Sequence, residues 1–338
     1  MVRKGGWRRE GSKRRFRYVD SRGNRITDPQ KVSRIATLAI PPAWKDVWIS
    51  PRAGAKLQAT GLDNAGRRQY LYHPDFRAAQ EQAKFDKLIR FAEALPQLRT
   101  AMADHLDYRE LDRERVSAVA IRLINLGWFR VGSDRYARAS RTYGITTLTK
   151  RHVSVRGSKI AFHFRGKHKV WVRTAVADAE LAAVLKELLE LRGGRRLFRY
   201  QSEHGLLNLT GPRLNKYVET YLGGEFTAKD FRTWGGTLMA AIALAEREVP
   251  QTEAEGRRSV AAVMRTVAER LGNTPAVTRA SYVSPAVVEQ YLDGRTLEDF
   301  RPRHLRVVRA REIGLDLEEQ ALLSLLRSWR IRRARQAA

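Results

Sequence analysis

Tyr282 is the last residue but one of the stretch LGNTPAVTRASYV (271–283), nine residues beyond Asn273 of a Gly-Asn-Thr-Pro turn. A tyrosine hydroxyl can act as a nucleophile, but an ordinary one is ionised only to about one part in a thousand at pH 7. Chemistry at its oxygen therefore needs cations that favour the phenolate. Three other stretches supply them: FRVGSDRY (129–136) puts Arg130 in a turn after an apolar helix, RGKHK offers Lys167, and KDFRTW (229–234) offers Arg232. Together these are the parts of a metal-free phosphoryl transfer to a protein hydroxyl, which requires a nucleophile, fixed positive charge and a proton donor for the departing alkoxide. Arginine stays protonated and presents a planar fork suited to phosphate, whereas lysine gives up a proton more readily. Each residue also has a plainer reading: Arg130 as an exposed loop charge, Lys167 as a polar hairpin tip, Arg232 as an ion-pair partner, Asn273 as a helix N-cap, and Tyr282 as a half-buried helix residue.

Composition narrows the partner. Lys and Arg number 64 against 36 Asp and Glu, a formal charge of +28, so a polyanion is the expected ligand. The longest small or apolar run, GGTLMAAIALA (235–245), is too short to span a bilayer. The basic N-terminus lacks the apolar centre of a secretory signal, so the expectation is a soluble, cytoplasmic protein. There are no cysteines, which removes disulfides, thiolate metal sites and thiol nucleophiles. His163 and His168 flank a hairpin with no carboxylate at ligand spacing, and no P-loop, H-E-x-x-H or EF-hand pattern occurs. Neither a metal nor a nucleotide cofactor is expected.

These residues need a scaffold. Residues 1–15 are rich in Arg and Lys and read as a basic arm. From 16 to 76, short β-favouring runs alternate with turn signals, predicting a small, mostly antiparallel β domain. Beyond it, residues 77–338 form a larger, mainly α-helical catalytic domain, in which Phe85, Leu88, Ile89, Ala92 and Leu95 follow helical spacing until Pro96 ends or restarts the helix. Further helices are predicted over 178–194, 211–222, 228–245 and 257–271. Residues 147–176 alternate as strands and turn twice, predicting a three-stranded β-sheet inside the helical domain with Lys167 at the second tip. The fold class is α+β.

The order Arg130, Lys167, K-x-x-R ending at Arg232, then a Gly-Asn turn and Tyr282 resembles the type IB DNA topoisomerases, particularly their short bacterial and poxviral form. TGLDNAGRRQYLYH (60–73), FRVGSDRYARASRTYGITTLTKRHV (129–153), KDFRTWGGT and GNTPAVTRASYVSP each match a signature of that family, over approximately residues 30–300. The resemblance implies that Tyr282 attacks a DNA phosphodiester to leave a 3′-phosphotyrosyl bond, that Arg130 and Arg232 bind nonbridging oxygens, and that Lys167 is the general acid. Asn273 stands where many relatives have histidine; its amide can donate to a nonbridging oxygen but cannot serve as an acid or base. Also implied are DNA contacts from Gln69, Tyr70, Tyr72 and Tyr136, with Lys229 in support. The implied protein is a nucleoid-associated, bacterial monomer that clamps double-stranded DNA between its two domains and relaxes supercoils of both signs without ATP or metal.

Two other readings stay open on residues alone. Tyrosine recombinases use a similar Arg, Lys, Arg, Tyr set, although KDFR replaces their usual H-x-x-R. A noncatalytic DNA-binding protein would account for the charge and leave Tyr282 structural.

Overall fold

In a computed structural model, which describes residues 5–11, 15–301 and 314–337, the chain divides into two units, Met1–Asp86 and Lys87–Ala338. In the first, alternation of apolar and polar residues produces β1 (Trp7–Glu10) and β2 (Arg17–Val19), followed by α1 (Pro29–Thr37), β3 (Lys45–Ile49), β4 (Leu57–Leu62) and β5 (Arg68–Tyr72). The strands form one antiparallel sheet in the order β2-β1-β3-β4-β5, over a core of Trp7, Ile35, Val47, Ile49 and Ala59. Helix α1 was not anticipated. Pro29 at its start and the Asp28 carboxylate, which accepts from the backbone N–H of Gln30 and Lys31, stop the preceding chain and cap it.

Strand β1 corrects the reading of residues 1–15 as an arm. Trp7 is buried in the sheet core, and the Arg9 guanidinium donates to the carbonyls of Ile40 (3.3 Å), Pro41 (3.1 Å) and Trp44 (2.6 Å). A charge that satisfies partly buried carbonyls looks, in sequence, like a solvated one. The remainder of the expected arm, residues 1–4 and 12–14, lies outside the described residues.

Helix α2 (Pro74–Leu106) runs through Pro96, which was expected to end or restart it. Proline removes one helical hydrogen bond, but Phe91, Ala92 and Leu95 before it and Leu98 and Met102 after it are all buried, so packing on both sides holds the helix together. The second unit continues with α3 (Arg113–Gly127), α4 (Asp134–Ser140), β6 (Val153–Arg156), β7 (Lys159–Arg165), β8 (Trp171–Ala177), α5 (Ala179–Glu190), β9 (Arg199–Ser202), β10 (Gly205–Asn208), α6 (Gly211–Leu222), α7 (Asp230–Ala245), α8 (Glu253–Leu271), α9 (Pro275–Tyr282), α10 (Pro285–Leu292) and α11 (Leu317–Ala337). The sheet β6-β7-β8 forms as its alternation predicts, with Val153 opposite Phe162 and Arg165 opposite Trp171. The β9–β10 hairpin, closed around Ser202–Gly205, was not foreseen. Helices α3 and α7 are buried along most of their length and form the centre of this unit. The architecture is the expected α+β class. Among the described residues, no helix is long and apolar enough to cross a membrane.

Candidate active site

Two arginines from different elements grip one short piece of chain. Helix α3 stops where Trp128 turns left-handed (φ 49°), and the following turn is pinned by Ile145 N–H donating to the Arg130 carbonyl (2.8 Å) and Thr146 N–H to that of Val131 (2.8 Å). From this fixed backbone the Arg130 Nη2 donates to the Gly272 carbonyl (2.7 Å) and to Asn273 Oδ1 (2.6 Å). Arg232 lies in the first turn of α7, only 4% exposed. Its Nη2 donates to the Leu271 carbonyl (2.7 Å) and its Nη1 to the Trp128 carbonyl. Both side chains thus converge on the α8–α9 junction, residues 271–273.

That junction has its own local logic. Gly272 takes the left-handed conformation (φ 59°) that ends α8, and Asn273 N–H returns to the Ala268 carbonyl (2.9 Å). Thr274, not Asn273, caps α9, accepting from Val277 N–H ahead of Pro275. The Asn273 side chain is therefore released from capping and turns to Arg130. Because its Oδ1 accepts from a guanidinium, its Nδ2 is the remaining donor, and that atom is buried without a hydrogen-bond partner. Tyr282 is the last residue of α9, half-buried, with the Arg232 guanidinium carbon 5.3 Å from its ring centroid. The segment leading to it is a helix rather than a loop.

The electrostatics follow from crowding cations in a poorly hydrated place. Burial pushes Arg232 down to about 10, and the neighbouring Arg130 charge adds to the depression, while Tyr282 acts in the opposite direction. Burial lowers Arg130 as well, again opposed by Tyr282. Both guanidiniums still carry their charge at neutral pH. Such an arrangement attracts an anion and favours negative charge developing beside Tyr282.

Lys167 stands apart. It is exposed in the turn between β7 and β8, where His168 and Lys169 are left-handed (φ 61° and 62°), and it makes no hydrogen bond or ion pair with the other four residues. Its neighbours Gly166 and Val170 nevertheless line the same cleft, of about 510 Å³, as Arg130, Arg232 and Gly272.

Among the residues expected to contact DNA, Tyr70 and Tyr72 are 49% and 41% exposed on one face of β5, their rings stacked at 6.2 Å. Gln69 alternates to the other face, and its Nε2 donates to Asp63 (2.9 Å), so the strand pleat separates it from the tyrosines. Tyr136 is exposed on α4. Lys229 precedes α7 with an exposed side chain, and its carbonyl accepts from Arg232 N–H (3.0 Å).

Sequence reasoning missed the groups that hold Arg232 in place. A Cβ on Gly235 would sit 2.2 Å from the Trp128 indole nitrogen, so that glycine lets α7 approach the residue whose carbonyl Arg232 engages. Glu319 of α11, 3% exposed, accepts two hydrogen bonds from Arg99 (both 2.7 Å) and one from Trp234 Nε1 (3.0 Å), tying the next turn of α7 in place. The signal for the first was present: a Gly-Gly pair inside an apolar helix costs about 1 kcal/mol per glycine relative to alanine, and so asks for a reason. Nothing in the sequence marks the second.

Residues 73–297 match the family described as eukaryotic DNA topoisomerase I, catalytic core, and residues 15–63 match the bacterial DNA topoisomerase IB N-terminal domain. The chain is 32% identical to DNA topoisomerase 1B of Acanthamoeba polyphaga mimivirus over 84% of its own length and 86% of the viral protein's. It is 24% identical to DNA topoisomerase I of Monkeypox virus and 23% identical to DNA topoisomerase 1B of Vaccinia virus (strain Copenhagen), in each case over 72% of this chain and 75% of the relative. The arginine pair, Asn273 and Tyr282 all fall within the matched catalytic core, and on that extent of similarity the chain belongs to the type IB DNA topoisomerases, in their short viral and bacterial form.

Proposed function

We propose that this enzyme relaxes positive and negative supercoils in double-stranded DNA through a transient single-strand break at Tyr282, using neither ATP nor a metal ion. The observation that carries the reading is the convergence of Arg130, Arg232 and Asn273 on the junction that leads to Tyr282, with Arg232 over the tyrosine ring. Tyr282 gives up its phenolic proton to solvent, a loss the arginines favour, as its oxygen attacks a backbone phosphorus and the bond from phosphorus to the 5′-oxygen breaks. Lys167 gives its proton to that leaving oxygen, and the products are a 3′-phosphotyrosyl ester and a free 5′-hydroxyl. The arginines and the unpartnered Asn273 Nδ2 take up the negative charge on the nonbridging oxygens. One phosphodiester has replaced another, so closure by the 5′-hydroxyl needs no nucleotide, and torsional strain drives the rotation between the two steps.

The +28 charge supplies nonspecific affinity for duplex DNA, which falls steeply with salt through counterion release. Tyr70, Tyr72, Tyr136 and Lys229 are exposed where they can add contacts, and Gln69 contributes through the Asp63 turn. The enzyme acts as a monomer. The test is relaxation of plasmids of either sign in EDTA without ATP, combined with denaturant trapping of the protein–DNA adduct and peptide mapping of its attachment. Wild type relaxes both and is trapped through Tyr282, while Tyr282→Phe binds DNA but does neither. A nucleotide requirement, an adduct on another residue, or strand exchange between defined sites in place of relaxation would each overturn the proposal.

A further inference from the structure

Helix α7 touches the backbone at Tyr282 and just beyond it. The Thr237 hydroxyl, fully buried, accepts from Ser284 N–H (3.1 Å) and lies 2.8 Å from the Thr233 carbonyl and 3.3 Å from the Tyr282 carbonyl, so its single hydrogen is shared between those two oxygens. Ser284 is itself 1% exposed and caps α10 through its side chain. One residue earlier, a Cβ on Gly236 would meet the Tyr282 carbonyl at 2.7 Å and Tyr282 Cβ at 3.3 Å. The carbonyl is backbone, and Cβ is bonded directly to the backbone, so neither can swing aside as the end of a long side chain can. Arg232 and Gly236 stand at i and i+4, on one face of the helix, and Thr237 follows Gly236 directly.

We infer that Thr237 is a positioning residue for the nucleophile: with Gly236 it fixes the α9–α10 joint so that Tyr282 and the phosphate-binding Arg232 are both referenced to the first two turns of one rigid helix, α7. The inference rests on Tyr282 being the nucleophile. Without it, the spacing between attacking oxygen and phosphate would depend on the exposed face of an eight-residue helix. Misplacement of a reacting group by about 1 Å can cost on the order of a hundredfold in rate. Thr237 is itself too deeply buried to reach DNA.

The device has a directional signature. In strand cleavage the tyrosine is free and its placement matters, whereas in religation it is already bonded to phosphorus and the 5′-hydroxyl attacks. Thr237→Val, which keeps the shape and removes the hydroxyl, should slow single-turnover cleavage by roughly 10- to 100-fold. It should leave religation of the preformed adduct within about threefold of wild type, and DNA affinity unchanged when measured in a Tyr282→Phe background. Thr237→Ser should cleave like wild type. Gly236→Ala, which crowds the Tyr282 carbonyl with Thr237 intact, should show the same cleavage-selective loss, and decides the question together with Thr237→Ser should Thr237→Val not fold. Equal losses in both directions, an equal loss in Thr237→Ser, or normal cleavage in Thr237→Val or Gly236→Ala overturns the inference. Peptide mapping of the wild-type adduct tests the Tyr282 reading separately, since attachment elsewhere removes the nucleophile whatever the Thr237 variants do.

Discussion

Replacing Asn273 by aspartate keeps the shape of a side chain at the centre of the cationic cluster and inverts its chemistry. The amide oxygen already sits 2.6 Å from Arg130 Nη2, so one carboxylate oxygen retains that contact and the other takes the place of the buried, unpartnered Nδ2 donor. Losing one donor to the developing oxyanion is worth about 3–4 kcal/mol. Setting a negative oxygen about 4 Å from a nonbridging phosphate oxygen adds repulsion of about 4 kcal/mol at an effective dielectric of 20. Neutralisation by Arg130 and Arg232 offsets part of this, leaving a net cost of about 4 kcal/mol, or roughly a thousandfold in cleavage rate. Folding responds the other way, because the new carboxylate pairs with a poorly solvated guanidinium; the melting temperature stays or rises. Those cations hold the new group below the ordinary carboxylate range, so the stabilisation is complete above about pH 4 and is lost only as pH falls below that. The rate defect should therefore be flat across neutral pH. Single-turnover cleavage of an end-labelled duplex, followed from pH 6 to 9 beside a thermal melt, measures both effects. Asn273→His, which keeps a donor, serves as the active control. Cleavage within tenfold of wild type, or a fall in melting temperature that accounts for the lost activity, would refute the role assigned to Asn273.

Three further outcomes test other parts of the molecule. Lys167→Ala should cleave ordinary DNA slowly and recover on a substrate with a 5′-bridging phosphorothiolate, whose leaving group needs no proton; Arg232→Ala should gain nothing from that substrate, and the absence of rescue in Lys167→Ala removes its assignment as general acid. Glu319→Gln leaves the largely covered Arg99 without the buried carboxylate it pairs with and should cost about 3 kcal/mol in a urea melt, so a loss under about 1 kcal/mol contradicts the clamp on α7. His152 is pushed down to about 4, first by burial and then by nearby charge, and its Nδ1 accepts from Thr149 N–H (3.1 Å) only while neutral. Unfolded His takes up its proton near 6.5, so stability is full above that value and declines as pH falls from there to about 4, by on the order of 1–2 kcal/mol after solvent screening. Unfolding titrations of His152→Gln should show a correspondingly shallower decline.

Much of the site is legible in the residues because the chemistry constrains their type. Phosphate needs guanidinium, a poor alkoxide leaving group needs an acid, and a protein ester needs a hydroxyl, so Arg130, Lys167, Arg232 and Tyr282 can be proposed from order and context. The periodicities of two and 3.6 likewise mark β6–β8 and most helices, because burial of one face selects those residues directly. Where the reading failed, tertiary contacts gave a residue a partner that its neighbours in sequence do not suggest. Arg9 looks solvated but satisfies the carbonyls of the 40–44 turn, and Pro96 looks like a break but lies in a helix packed on either side of it.

Sequence alone thus determined the chemical parts, the charge that draws DNA and the division into a β unit followed by a helical one, since each depends on residue type and local pattern. Only the tertiary structure decided that Arg130 and Arg232 both bind the 271–273 junction, that Asn273 is freed by Thr274 to face Arg130, and that Gly236 and Thr237 seat the backbone of Tyr282. Those contacts join residues up to 143 positions apart, where no local periodicity reaches and only the packing of α3, α7, α8 and α9 sets the distance.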